Sequence, residues 1–146
     1  EAEANVALAL RPELWKASWV LFTENWLNGV GLRGASGAMY PILAAADLFP
    51  DAMLSRTWHP HLGILEIAAD TGLLGVFGYL LFLIMVARWM LATNTAGEGV
   101  ATTFLCIALL AMFPLSSALS MYSFPTGSIT WPALALALGA HFRKSR

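Results

Sequence analysis

Two imidazoles and a carboxylate stand close together in His59-Pro60-His61-Leu62-Gly63-Ile64-Leu65-Glu66, immediately before a long apolar stretch. Imidazole is the side chain whose ordinary pKa lies nearest neutrality, so such a pair can take up or hand on a proton at physiological pH. Proline suits the first position of a helix, and Gly72–Val86 continues without a charge. The spacing therefore predicts a helix opening at His59-Pro60, with His61 in its first turn. There the positive end of the helix dipole disfavours imidazolium, and free backbone N–H groups favour a bound anion. A base beside an anion site is the arrangement of a group transferase. The alternative is that both histidines are polar residues capping a helix at a membrane surface.

The composition says what must position these residues. Of 146 residues, 58% are hydrophobic and 12% charged, with a mean hydropathy of +0.67. That is too apolar and too sparsely charged for an ordinary soluble domain, and it predicts an all-α membrane protein. A net charge of −1, with no basic cluster apart from the tail Arg143-Lys144-Arg146, argues against a nucleic-acid partner. Cys106 is the sole cysteine; it can form no internal disulfide and reads as a small core residue.

Three transmembrane helices are expected within residues 72–142, each near the roughly 20 residues that a hydrocarbon core requires. The first is Gly72–Leu91. The second is Val100–Leu119, interrupted by Pro114, and the third is Tyr122–Phe142, with Pro125 near its start and Pro132 inside it. The last two should form a tight helical hairpin, since only a short polar stretch around Ser120 separates them. Gly72, Gly75 and Gly78 draw a small-residue ridge suited to close helix packing. Arg88, Arg143, Lys144 and Arg146 mark the cytoplasmic side, whereas residues 1–71 carry four basic against eight acidic residues. Positive-inside orientation then makes residues 1–71 periplasmic and residues 143–146 a cytoplasmic tail.

The external segment is itself patterned. Arg11-Pro12 opens a helix on which Trp15, Trp19, Phe22 and Trp26 recur at spacings of four, three and four, an aromatic stripe suited to lying along a membrane surface among its lipids. Asn28-Gly29-Val30-Gly31-Leu32-Arg33-Gly34 ends that helix. Its glycines can serve a simple turn or bring backbone amides close to a phosphate. Glu66 and Asp70, one helical turn apart, complement the start of the first span. A zinc site on His59 and His61 would need a third ligand from Asp47, Asp51 or Glu66. No His-Glu-x-x-His or paired-cysteine spacing supports it, so no metal is assigned.

Taken in order, Arg11-x-x-x-Trp15, Asn28-Gly29-Val30-Gly31, His59-Pro60-His61-x-x-x-Leu65-Glu66-x-x-x-x-Thr71-Gly72-Leu73-Leu74-Gly75 and Phe113-Pro114-Leu115 resemble the C-terminal half of the O-antigen ligase and polymerase family. Order and spacing carry the resemblance, which runs from Arg11 to about Gly139. Its most specific piece is the histidine motif leading into Gly72-Leu73-Leu74-Gly75. The resemblance implies part of a larger GT-C-like, multi-span fold in the bacterial inner membrane. It also implies the family's activity, transfer of a glycan from undecaprenyl pyrophosphate to an acceptor hydroxyl on the periplasmic face. That covers O-antigen ligation to lipid A-core and related polysaccharide polymerisation, with no metal, nucleotide or other cofactor.

By the same resemblance the family's catalytic histidine falls on His61, its companion on His59 and its motif arginine on Arg11. Where the family usually carries asparagine after the second histidine, this chain has Leu62. Arginine suits a departing pyrophosphate because its fork is permanently charged and bidentate. Arg11 is thus the expected donor-binding residue, with Arg33 or Arg56 as a second clamp. Two other classes stay open: a non-catalytic membrane assembly module, and a metal-dependent membrane hydrolase. The chain is further expected to be the C-terminal fragment of one domain, inactive alone and completed by additional spans.

Overall fold

A computed structural model of the protein describes residues 11–45, 58–92, 99–115, 120 and 122–144. Every regular element among the described residues is a helix: α1 Arg11–Glu24, α2 Gly34–Ala45, α3 Gly63–Ala92, α4 Gly99–Ala111 and α5 Phe124–Lys144. The expected all-helical class is correct. The chain forms two compact units, Glu1–Val76 and Phe77–Arg146, and α3 runs from the first into the second.

In the first unit α1 begins at Arg11-Pro12, where proline's missing N–H costs nothing. Leu14, Ala17 and Leu21, spaced three and four apart, pack against Ala35, Met39 and Leu43 of α2 and Ala69 of α3. Burial of each large side chain in this cluster contributes about 1.5–3 kcal/mol. Ser18 shares the buried face without cost because its hydroxyl donates to the Leu14 carbonyl at 2.7 Å. The tryptophans of the expected stripe lie outward: Trp15, Trp19 and Trp26 are 40%, 56% and 55% exposed.

Helix α3 starts later than the sequence suggests. Leu62 is its capping residue, since the Leu62 carbonyl accepts the Glu66 N–H at 3.1 Å. His61, at φ 50°, stands one residue outside, so the expectation that it occupies the first turn is corrected. A residue in the left-handed region cannot continue a right-handed helix. From Gly63 to Trp89 this helix offers 27 residues, with an 18-residue stretch of mean hydropathy 1.9, and it is the one described helix long and apolar enough to cross a membrane.

The expected glycine ridge is also corrected. Gly72 breaks the helix, with φ 63° and ψ −161°. Gly75 leaves room for the Thr71 side chain, whose hydroxyl donates to the Ile67 carbonyl at 2.7 Å. A side chain at Gly78 would meet nothing within 4 Å.

In the second unit α4 and α5 pack on one another, which is the expected hairpin. Apart from Leu105, the buried stripe is made of small or polar residues, Ala101 and Ala108 on α4 against Thr126, Thr130, Ala133 and Ala137 on α5. Such residues let helix backbones approach closely. With 13 residues ending at Ala111, ahead of Pro114, α4 is shorter than the expected span. Its length is about 20 Å, against a hydrocarbon core of roughly 30 Å. Ser123 caps α5, its carbonyl accepting the Gly127 N–H at 3.0 Å and its hydroxyl accepting the Thr126 N–H at 3.4 Å. Tyr79 donates its hydroxyl to the Met112 carbonyl, just past the end of α4, where helix carbonyls need partners from outside the helix. Cys106 is exposed, not the core residue expected.

Candidate functional site

All the described candidate residues lie in the Glu1–Val76 unit, where the turn after α1 crosses the break in α3. Breaking a helix frees donors on one side and acceptors on the other, and here the turn takes up both. Ala69 and Asp70 carbonyls accept the Val30 and Gly31 N–H groups at 3.0 and 2.9 Å. In return, Leu73 and Leu74 donate their N–H groups to the Trp26 and Leu27 carbonyls at 2.8 and 3.3 Å.

The crossing is too close for side chains. A Cβ at Gly29 would lie 2.3 Å from the Asp70 carbonyl group, and one at Gly72 would lie 2.4 Å from that of Leu27. Both glycines also hold positive φ, 68° and 63°. Their conservation of space is a matter of backbone contact, and no amide of Gly29, Val30 or Gly31 is left for a phosphate. The Gly29 N–H goes to the Asn25 carbonyl at 2.8 Å, so the phosphate-cradling use of this turn is replaced by a structural one.

Asp70 completes the junction. It is 2% exposed, and its carboxylate accepts the Arg33 N–H at 2.9 Å and the Ala35 N–H at 2.8 Å. Those amides belong to the start of α2, so Asp70 caps a helix 35 residues earlier in the chain as well as standing in α3. Negative charge at a helix N-terminus is stabilising through the dipole and through direct charge-assisted bonds. The sequence reading gave Asp70 a role only at its own helix start.

The histidines sit two turns earlier. The rings of His59 and His61 lie 4.0 Å apart between centroids and are tilted by 47°. Pro60, between them, is buried, and its carbonyl accepts the Trp15 Nε1–H at 2.8 Å. That bond ties α1 to the histidine segment. Desolvation by burial, and secondarily the charge of the adjacent His61 ring, push His59 below the ordinary imidazole pKa. His59 is thus biased towards the neutral form that accepts a proton.

The arginines divide. Arg11 opens α1 four residues before Trp15, so helical periodicity sets both on one face, the face that reaches Pro60. Arg33 lies at the opposite end of the junction, exposed, with its backbone at φ 62°. Gly63 and Asp70 are about 10 Å apart along α3 by helical rise, which separates the histidine end from the Arg33 end. Arg56, Asp47 and Asp51 lie outside the described residues. Among the described residues no group of three His, Cys, Asp or Glu side chains is arranged to hold a metal ion.

Sequence reasoning missed Asp70 as a long-range cap and Gly72 as a break. The available signal was a polar Asp70-Thr71-Gly72 triplet at the head of an apolar run, facing a second glycine pair, Gly29 and Gly31. No protein-family model, curated protein or solved structure matches this chain.

Proposed function

We propose that the protein is the C-terminal part of a membrane-embedded glycosyltransferase that moves a glycan from undecaprenyl pyrophosphate to an acceptor hydroxyl. The activity would be that of an O-antigen ligase or a related polysaccharide polymerase. The observation that carries this reading is the His59–His61 pair, its tilted rings 4.0 Å apart, directly before the one described helix apolar enough to cross a membrane. A proton acceptor at the mouth of a lipid-facing helix suits a donor whose polyprenyl chain lies in the bilayer and whose sugar lies outside it.

In this mechanism the acceptor oxygen attacks the anomeric carbon as the bond from that carbon to the pyrophosphate oxygen breaks. The hydroxyl proton passes to the histidine pair, with His61 as the base and His59 beside it, a contribution of about 10²–10⁴ in rate. Arg11, on the face of α1 that Trp15 ties to Pro60, would stabilise the departing pyrophosphate. Attack opposite the leaving group inverts the anomeric centre. The Glu1–Val76 unit would face the periplasm and the tail after Phe142 the cytoplasm, in keeping with the basic residues at 143, 144 and 146. Outward tryptophans on α1 would rest at the headgroup level of the inner membrane.

A second reading, a non-catalytic membrane assembly module, draws on one observation. The Asn28–Gly31 and Thr71-Gly72 segments that carry the resemblance are engaged in backbone docking. The test that separates the two is substitution in the full-length gene product. His61→Ala should abolish transfer and accumulate lipid-linked glycan, and Arg11→Lys should impair transfer because a point charge lacks the bidentate fork. Normal transfer by both variants would favour the assembly module.

A further inference from the structure

Helix α1 ends on Glu24, against the electrostatics of a helix terminus. The C-terminal end carries the negative pole of the dipole and favours cations, yet the last turn of α1 holds no basic residue. No ion pair reaches Glu24 from elsewhere among the described residues, and Lys16 of the same helix is held by Glu13 at 2.7 Å. A cation is missing from this end.

Glu24 also lines a cavity of about 250 Å³ together with Asn25, Trp26, Leu27, Asn28 and Gly29. Asn25 turns its amide nitrogen to the Leu21 carbonyl at 3.2 Å, and its Oδ1 remains an acceptor. Trp26 is exposed and adds the negative face of an indole. The wall is fixed in advance, because the Trp26 and Leu27 carbonyls accept the Leu73 and Leu74 N–H groups at 2.8 and 3.3 Å. A cavity held in place before its ligand arrives loses little ordering entropy on binding.

An ammonium group matches this lining. Carboxylate and amide oxygens accept its charge-assisted hydrogen bonds, and indole is the best aromatic face for a cation. What carries the ammonium follows from the apolar side of the cavity. Leu27 in its wall is exposed, as are Leu73 and Leu74, which bond to this turn and belong to the helix apolar enough to cross a membrane. Acyl chains would cover that flank, and a small soluble amine would leave it bare. We propose that the Glu24–Gly29 cavity holds the ammonium headgroup of a membrane lipid of the phosphatidylethanolamine type, with its chains along Leu73 and Leu74. This requires α3 in a bilayer and nothing of the transfer chemistry.

The test is native mass spectrometry of the full-length gene product in detergent, with phosphatidylethanolamine and phosphatidylglycerol as probes. The native protein should retain the first lipid in preference to the second. Glu24→Gln should weaken phosphatidylethanolamine retention about tenfold, as loss of a charge-assisted contact does, and leave phosphatidylglycerol unchanged. The same substitution removes a negative charge from the negative end of α1, so the lipid-free variant should unfold at a higher temperature. Lipid lost while stability is gained is a pairing that a merely structural role for Glu24 does not produce. Trp26→Leu should weaken retention about threefold. Trp19→Leu, outward on the same helix but outside the cavity, should have no effect.

Unchanged phosphatidylethanolamine retention in Glu24→Gln, a lowered unfolding temperature in that variant, or equal losses in Trp19→Leu and Trp26→Leu would overturn the proposal. Free ethanolamine is the soluble arm and should fail to displace the lipid at matched concentration; full displacement would assign the cavity to a soluble amine and overturn the lipid. A protein that passes these tests yet transfers no glycan would overturn the glycosyltransferase reading and leave this inference standing.

Discussion

In the Glu1–Val76 unit polar groups reach far along the chain, Trp15 to Pro60, Arg33 and Ala35 to Asp70, Trp26 to Leu73. Among the described residues of the Phe77–Arg146 unit, Thr103 to Gly99, Ser128 to Pro125 and Thr130 to Thr126 turn back on their own helices, Thr126 reaches back to Ser120, and Tyr79 reaches Met112. The second pattern is what an apolar environment demands, since every backbone and hydroxyl group must find a partner nearby. Long-range bonds of the first kind build a shaped polar surface instead. The difference teaches that long-range polar docking and apolar helix packing are divided between the units, with α3 belonging to both.

The comparison breaks most sharply at glycines. Gly29→Ala and Gly72→Ala should each destabilise the first unit by about 3 kcal/mol or more, because positive φ and a backbone contact are both violated. Gly78→Ala, in the second unit, meets open space. It should be neutral or stabilising by up to about 1 kcal/mol through helix propensity. Thermal unfolding of the three variants measures this, and equal losses at Gly72 and Gly78 would end the contrast.

Trp15→Phe keeps the ring and removes the Nε1–H bond to Pro60. Its expected cost is about 1 kcal/mol and, under the proposed function, lost transfer, because the histidine segment loses its tie to α1. Stability lost without any change in transfer would show that the tie has no part in the site.

Caps sharpen the same contrast at similar size. Leu62 occupies a capping position where its side chain can accept no hydrogen bond. Leu62→Asn should gain about 0.5–1 kcal/mol, while Ser123→Ala in the second unit should lose a similar amount. Denaturant titration of each variant reads both. The asparagine usual at this position in the resembled family would then be accounted for by helix capping.

The smallest effect is the pH response of the first unit. His59 has a folded pKa below its ordinary 6.5, so the unfolded chain takes up the proton first. Its contribution is fully present above pH 6.5 and is lost as the pH falls through the lowered folded value. Stability measured at pH 7.5 and pH 5 should therefore fall less for His59→Gln than for the native chain. An identical fall would show that His59 is not titrating against folding.

Much of this was legible beforehand, and for physical reasons. Proline at Pro12, the outward tryptophans and the α4–α5 hairpin follow from local rules of helix starts, periodicity and short connections. The closeness of His59 and His61 follows from their spacing. What stayed hidden depends on partners distant in sequence. A carboxylate at Asp70 carries no local sign of which helix it caps, and Gly72 within an apolar run looks the same whether it eases helix packing or ends a turn. The start of α3 was misjudged because His59-Pro60 satisfies the rule for a helix start, while the left-handed backbone of His61 overrides it.

The exchange of N–H groups between the Trp26–Gly31 turn and the broken α3 carries a kinetic consequence. A turn on a protein surface ordinarily surrenders its amide hydrogens to solvent quickly, and a helix break frays. Here neither can open without the other, because Val30 and Gly31 donate into α3 while Leu73 and Leu74 donate out of it. Their four amides form one cooperative opening unit. In heavy water they should exchange at a common rate, slow for a loop, with the loop pair and the helix pair losing protection together.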